Sequence, residues 1–396
     1  MIIEYLFWTG IFIIAYTYFG YPLLLGSFCA LKKVLASSNK NNNNSELPPV
    51  TIVTAAYNEE NHVESKIGNN NQLDYPKDKI TQLWVENGST DKTLTLLKKH
   101  SDIVLITSNE RLGKAESLNN AVQKINTPIV ILTDANTTLS KNSVKDLVKH
   151  FTNPKVGCVA GRKMVKWSKE DSSASKGEGF YWIFESFLKK MESCTGTTIS
   201  GAGELYAIRT ELFKTIDSDT ILDDFAVSSK IIEQGYLIKY EPKAIAQESG
   251  SLTIEDERKR KIRIAAGSFQ LLSRHLSSLI SKQNIDVSFK FISHKLLRWI
   301  AVPPFLILLP VLNAFIIAMQ NELNAIYIFS MFLFGIFYLW VLVGFILRNK
   351  KSVPPIIILP YYGFMMNISM FEGFIRYLGG KQNYLWEKAN RKVDKL

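Results

Sequence analysis

The 396-residue sequence is poor in the residues that build several common kinds of site. It holds three cysteines, Cys29, Cys158 and Cys194, odd in number and far apart. They make no disulfide framework and no CxxC metal pair, and they read as reduced, packed thiols. The five histidines, His62, His100, His150, His275 and His294, are scattered. Neither paired-histidine zinc hydrolase pattern is present, and each histidine reads as a surface or structural residue. No GxGxxG follows a strand and no GxxxxGK[ST] loop occurs; Gly113-Lys114 is a lone pair. These absences exclude dinucleotide binding and P-loop chemistry. Charge is also missing locally: four stretches of about 20 residues carry none, long enough to cross a bilayer as helices. A simple soluble protein is thereby excluded.

The net charge is +11, from 47 Lys+Arg against 36 Asp+Glu. Nucleic acid is not the expected partner, because no zinc-finger spacing, arginine-rich arm or RNA-binding aromatic pair stands out. Basic residues collect at the cytoplasmic flanks of membrane helices, and where anionic headgroups or a diphosphate would lie. Residues 5–31 are uncharged, too long for the apolar part of a signal peptide, and lack a basic leader. Lys32 and Lys33 follow, which predicts an outside N-terminus and a cytoplasmic continuation. Pro22 predicts a kink. The asparagine-rich stretch 39–44 cannot bury apolar surface and reads as a tether. Further spans are predicted over 299–319, containing Pro303, Pro304 and Pro310, and over 326–347. The flanks put 320–324 outside and 348–351 inside. The run 352–371, with Pro354, Pro355, Pro360 and Gly363, has basic residues at both ends. A re-entrant or interfacial segment fits it, and a fourth span stays open. The expected organisation is an anchor (1–33), a linker (34–47), a catalytic domain (48–255), interfacial helices (256–298), a membrane region (299–378) and a basic tail (379–396).

The middle of the chain alternates short β-branched runs with helical patterns. Strands are predicted over 50–56, 80–85, 103–106 and 129–132, and helices after Asn58-Glu59-Glu60-Asn61, from Asp91 and over 114–125. Such alternation predicts an α/β domain with a mainly parallel sheet. Ligands then bind beyond the carboxyl ends of the strands, where Glu86, Asp91, Asp134 and Asn136 fall. Asp134-Ala135-Asn136 alternates two oxygen ligands around a small residue. Such oxygens, with phosphate oxygens, suit a hard cation such as Mg²⁺ or Mn²⁺, though strand-end turns also use these residues.

Seven segments in order resemble membrane-anchored family 2 glycosyltransferases, the inverting enzymes related to cellulose, chitin and hyaluronan synthases. They are Val53-Thr54-Ala55-Ala56-Tyr57-Asn58-Glu59-Glu60, then Glu86-Asn87-Gly88-Ser89-Thr90-Asp91, then Arg111-Leu112-Gly113-Lys114-Ala115, then Asp134-Ala135-Asn136. Ser200-Gly201-Ala202-Gly203-Glu204, Leu222-Asp223-Asp224 and Glu241-Pro242-Lys243-Ala244 complete the series. The resemblance covers about 50–270 closely; the apolar C-terminal third, with Trp386, Lys388 and Arg391, matches more loosely. It implies a nucleotide-diphospho-sugar transferase domain of GT-A type between N- and C-terminal transmembrane helices. It implies that Asp134 and Asn136 face the metal and diphosphate, and that Tyr57, Glu59 and Asn87 meet the nucleotide. Asp91 would support the nucleotide loop, Lys114 would bind the donor, Asp224 would be the general base and Asp223 would tune it. Gly201, Ala202 and Gly203 would form the acceptor side, with Arg260 and Arg263 toward the diphosphate. Asp223-Asp224 also suits a helix cap, and the aromatic run Phe180, Tyr181, Trp182, Phe184 and Phe187 suits packing as well as acceptor stacking.

Departures from the family pattern matter. Asn87 replaces an aspartate, so a UDP-sugar is favoured but not fixed, and Asn136 replaces the second metal-site aspartate. The Gln-x-x-Arg-Trp of polymerising members reads Arg260-Lys261-Ile262-Arg263-Ile264, keeping only the arginine. The expectation is therefore inverting sugar transfer to a lipid-linked or growing glycan at the cytoplasmic face of the inner membrane, in cell-surface glycan synthesis with possible polysaccharide-assembly partners. A processive synthase and an inactive membrane scaffold are the alternatives. Residues 258–263 clamp a diphosphate in one view; in the other, 264–272 lie along the membrane.

Overall fold

The computed structural model describes residues 1–35, 46–166, 172–281, 284–320, 324–350, 353–380, 383 and 385. The expected tether, 39–44, and the loosely matching Trp386, Lys388 and Arg391 lie outside the described residues.

The chain opens with α1 (Ile2–Ala15) and α2 (Tyr21–Leu35), joined by a π-helical turn over Tyr16–Gly20. The helix runs on through Pro22, whose missing N–H is absorbed by that wide turn. At 1.5 Å per residue this rod is about 50 Å long, against a hydrocarbon core of about 30 Å. The excess is about 20 Å, and α2 is the part that packs on α7. Tyr21 and Leu25 pack on Leu188 there, and Tyr21 donates to Glu192 at 2.7 Å.

The α/β body contains β1 (Val50–Ala56), α3 (Val63–Asn71), β2 (Ile80–Asn87), α4 (Thr93–Leu97), β3 (Val104–Ser108), α5 (Lys114–Val122) and β4 (Ile129–Asp134). It continues with β5 (Thr138–Leu139), α6 (Ser143–Val148), β6 (Val156–Lys166), α7 (Ser173–Thr195), β7 (Leu205–Arg209), α8 (Asp223–Glu233) and β8 (Leu237–Ser249). The strands form one sheet in the order β3-β2-β1-β4-β7-β6-β8-β5. The pairings β3-β2-β1-β4 are parallel, as the alternating pattern predicts, and β6 pairs β8 in parallel. β7 runs antiparallel to β4 and β6, and β5 antiparallel to β8, so the whole sheet is mixed. Successive residues face opposite sides: Val53, Val130 and Ile208 pack under α5 and α8, whereas Ile52, Ile131 and Ala207 pack on the α6 side. Both faces are buried, which explains runs that are apolar throughout.

The C-terminal part consists of α9 (Ile254–Leu279), α10 (Ile285–Phe291), α11 (Val302–Met319), α12 (Ala325–Leu347) and α13 (Pro355–Leu378). A π-helical stretch over Ile292–Ala301 fuses α10 to α11, directly ahead of Pro303 and Pro304. Among the described residues, three segments are long and apolar enough to cross a membrane: Ile2–Leu35, Ile285–Met319 and Ala325–Leu347. Phe7, Leu309, Ile316 and Tyr327 bind them into one bundle. The run left open is a helix, α13, which packs on α12 and along α9. The expectation that 264–272 lie along the membrane is corrected: Ala265, Ala266, Gly267, Ser268, Leu271 and Leu272 are buried. Gly373 explains the fit, because a Cβ there would lie 2.8 Å from the Ala266 nitrogen and 2.9 Å from the Ile262 oxygen.

The thiol expectation is also corrected. Cys29 and Cys194 form a disulfide between α2 and α7 across 165 residues, and Cys158 is a buried free thiol. Helix packing creates that pair, so sequence spacing carries no trace of it.

Candidate active site

A cavity of about 1260 Å³ lies beyond the sheet, between the strand ends, α7, α9 and α13. Glu59, Lys114, Asp134, Asn136, Gly201, Ala202, Gly203, Asp223, Asp224, Arg260 and Arg263 all line it. Tyr57 and Asn87 line a small adjoining cleft that shares Lys114 with the large one. The structure thus brings these predicted residues together, and Asp91 stands behind them.

The donor-side loops are built by their own side chains. Gly88 has φ +67°, and a Cβ on it would lie 2.8 Å from the Glu110 carbonyl carbon. Glu86 accepts the Ser89 N–H at 2.5 Å, and Asp91 accepts from Thr93 at 2.9 Å and Glu60 at 3.2 Å. Both carboxylates therefore shape turns. Asn87 Oδ1 accepts the Leu112 N–H at 2.7 Å, and the Arg111 guanidinium stacks 3.9 Å over the Tyr57 ring. Gly113, at φ +90°, turns the chain into α5, which presents Lys114 to the cavity.

Lys114 Nζ donates to Asp134 Oδ1 at 2.8 Å and lies 3.5 Å from Asp223 Oδ2. Burial works against its charge, yet Asp134 and Asp223 outweigh that and hold the ammonium protonated. Burial raises the Asp134 carboxyl above the usual carboxylate range, with Lys114 opposing. Among the described residues no group of three or more His, Cys, Asp or Glu could hold a metal. Asp134 with Asn136 still fits a hard divalent cation. Asn136 Oδ1 is buried without a hydrogen-bond partner, and such a cation takes much of its shell from phosphate oxygens and water.

Asp223 and Asp224 form the first turn of α8 behind Leu222, which has no side-chain cap. Neither aspartate is the N-cap, so the capping alternative is not realised. Gly203 lies beside Asp224: its Cβ position is 3.6 Å from the Asp224 carboxylate. Burial, then Asp223 and Glu204, raise the Asp224 carboxyl to about 6, while Lys189 and Lys114 pull it down.

Besides Asn136 Oδ1, Trp182 Nε1 on the cavity wall is buried and lacks a hydrogen-bond partner, while Asp223 Oδ2 has the 3.5 Å approach of Lys114. Buried polar groups are normally satisfied, so unpaired atoms on this wall suit a polar ligand. Phe180, Tyr181, Trp182 and Phe184 also line this cavity, and Phe187 is exposed.

Arg260 is not a free diphosphate clamp, which corrects that expectation. It pairs with Glu178 and with Glu257 at 3.1 Å. Glu178 also reaches Lys163, which binds Glu204 at 2.6 Å and pairs with Glu248. Tyr362 of α13 donates to Glu257 at 2.7 Å. This buried network, invisible in any motif, ties the sheet, α7 and α9 to α13. Glu204, Lys189 and Tyr362 are cavity residues that sequence reasoning missed, because their partners lie far away in the chain. Only the position of Glu204 within a matched motif could have flagged it.

Residues 51–217 match the family described as Glycosyl transferase family 2. Poly-beta-1,6-N-acetyl-D-glucosamine synthase from Staphylococcus aureus is 28% identical over 250 residues, 61% of this chain and 60% of that protein. The synthase of the same name from Staphylococcus epidermidis is 28% identical over 248 residues, 60% of this chain and 59% of that one. The chain thus spans about three fifths of the length of these relatives. A solved mannosyltransferase from Pyrobaculum calidifontis, in complex with GDP-Man and Mn²⁺, superposes with a TM-score of 0.68. It is 22% identical, and the match covers 94% of this chain and 98% of that one. The fold is GT-A-like, with apolar helices at both ends of the α/β body.

Proposed function

We propose, from a family 2 glycosyl transferase domain set between membrane-spanning helices, that the protein is an inverting membrane polysaccharide synthase. It moves a sugar from a nucleotide-sugar donor to a growing glycan at the cytoplasmic face of the inner membrane. The observation that carries this reading is the single cavity. It joins Lys114, Asp134 and Asn136 to Asp224, and continues to Tyr362, Met366 and Asn367 on α13. Donor, base and membrane-side exit share one space.

In this mechanism Tyr57, Glu59 and Asn87 hold the nucleotide, and Asp91 supports their loop. Asp224 accepts the proton of the acceptor hydroxyl as that oxygen attacks the anomeric carbon from the face opposite the diphosphate. The bond to the diphosphate oxygen breaks with its electron pair, and the centre inverts. Lys114 lies where charge develops on the leaving group, as a preorganised ammonium that stabilises it. Asp134 and Asn136 would hold Mg²⁺ or Mn²⁺, which would supply charge neutralisation on the diphosphate when bound. Gly201, Ala202 and Gly203 leave room for the acceptor, and Trp182 Nε1 offers it a donor. Arg263, like Arg260, lies on the cavity wall.

A UDP-sugar remains the favoured donor, and the synthases named above favour a polymeric product. Single addition to a lipid-linked acceptor is the second reading, favoured by the lost glutamine and tryptophan around Arg263. An inactive scaffold is disfavoured by the retained Asp91, Asp134 and Asp224.

The test uses purified protein in lipid nanodiscs, a panel of UDP- and GDP-sugars, Mg²⁺ or Mn²⁺, and a bacterial lipid extract. Nucleoside diphosphate release from one donor, lost in Asp224→Asn, is the expected result. Long products support the synthase; one-sugar products on extracted lipid would replace it with the second reading. Tight donor binding without turnover under every condition would leave the scaffold.

A further inference from the structure

Lys189 belongs to none of the seven matched segments. It sits on α7, is 4% exposed and lines the cavity. Its Nζ donates to the Gly201 carbonyl at 2.5 Å. The Gly201 N–H donates to Ser228 Oγ at 2.6 Å, and Ser228 Oγ donates to the Asp224 carbonyl at 2.6 Å. Ser228 is itself fully buried. This is one directed chain: ammonium, peptide group, hydroxyl, and the backbone of the residue assigned as base. Gly201 permits it, because a Cβ there would lie 3.1 Å from Ser228 Oγ.

The charge of Lys189 needs a reason. Among the described residues no carboxylate forms an ion pair or hydrogen bond with it, and burying an ammonium on a carbonyl alone is unfavourable. Burial accordingly lowers its tendency to hold a proton; Lys295 lowers it further, while Glu185, Asp224 and Glu204 oppose. The groups facing Asp224 are Asp223 on its own helix, Glu204 on the loop before β7, Lys189 on α7 and Lys114 on α5. Cys158 of β6 and Tyr206 of β7 also lie within its field. The two carboxylates disfavour an ionised Asp224 and the two lysines favour it. Lys114 is already committed to Asp134 at 2.8 Å, so Lys189 is the cation left to serve the base.

We propose that Lys189 is a positioning residue for Asp224: it anchors the Gly201–Ser228–Asp224 chain to α7 and keeps a positive charge facing the carboxylate. The inference rests on Asp224 being the general base. It predicts two separable effects, one of geometry through Ser228 and one of charge through Lys189.

The experiment uses the full chain in nanodiscs with the donor found in the panel. Turnover is measured from pH 5 to 9, with donor affinity measured by equilibrium dialysis of the labelled nucleotide sugar. Asp224→Asn is run first; wild-type turnover there overturns the base assignment and this inference with it. Given loss in Asp224→Asn, Lys189→Met should keep donor affinity within about threefold and lower kcat at least about tenfold. It should also move the acid limb of the pH profile up by about one unit. Lys189→Arg should restore most of the rate and the wild-type limb. Ser228→Ala should lower kcat severalfold with the limb unmoved. An acid limb in Lys189→Met identical to wild type overturns the inference, whatever the rate. A parallel collapse of donor affinity does so too, because it would make Lys189 a donor ligand. If Lys189→Met does not assemble, Lys189→Gln takes its place with the same two readouts.

Discussion

Asp224 shows how surroundings tune one side chain toward the role proposed for it. Burial and two neighbouring carboxylates raise its carboxyl to about 6. Only the ionised form accepts a proton, so kcat/KM should fall as pH drops through about 6, with Asp224→Asn lower by about 10²–10⁴-fold. A pH-independent rate down to pH 5 would contradict the assignment. Lys66 is a second case, outside the reaction. It is fully buried on α3 and donates to Thr133 Oγ1 at 3.0 Å and to the Thr137 carbonyl at 2.9 Å, behind the Asp134 turn. Burial depresses it to about 7, with Asp134 opposing. Between pH 7 and an unfolded value of about 10.4, the unfolded chain binds more protons. Stability should therefore rise with pH across that window. Melting curves at pH 7 and 9 should show the rise in wild type and a smaller one in Lys66→Met; equal slopes would refute it. Neither environment was legible in sequence, where Lys66 is one of many lysines.

Helices here are positioned by close approach and by one covalent link. α9 and α13 meet at Gly373, where no Cβ fits against Ala266 and Ile262. Gly373→Val should cost about 1–3 kcal/mol through overpacking. It should also cut turnover, because both helices wall the cavity; an unchanged melting temperature with full activity would sink this account. The Cys29–Cys194 disulfide ties α2 to α7, the helix that carries Lys189. Peptide mapping of protein purified under oxidising conditions should recover the linked pair. A chain-entropy treatment gives a closed loop of this size about 5 kcal/mol. Reduction, or Cys194→Ser, should therefore lower the melting temperature; a mapped bond whose loss leaves the melt unmoved would contradict it. The elements themselves were readable: β1, β2, β3, β4 and α5 start within one residue of their predicted positions. The long α9 and the continuity of α10 with α11 were not, because charge boundaries mark membrane surfaces rather than helix ends.

At the scale of the molecule, the α/β body sits on a bundle of apolar helices, with α13 shared between cavity and bundle. If the three apolar segments found among the described residues all cross the bilayer, the chain crosses an odd number of times between Met1 and Lys350. Impermeant maleimide added to intact cells should label Asn324→Cys, and should label Lys350→Cys only after permeabilisation. The reverse pattern would place the catalytic body outside and remove its access to nucleotide sugars.

Local chemistry by itself determined the alternating α/β body, the three long apolar spans and the strand-end loop holding Asp134 and Asn136. Strand burial, helix periodicity and membrane length each act over a few adjacent residues, so they are written along the chain. The antiparallel β7, the disulfide, the withdrawal of Arg260 into the Glu178–Glu257 network and the lysine behind Asp224 were decided only in three dimensions. Each depends on residues tens to hundreds of positions apart. An ion pair, a thiol pair or a buried hydrogen-bond chain leaves no periodicity in sequence, because its free energy comes from proximity that the whole fold must first create.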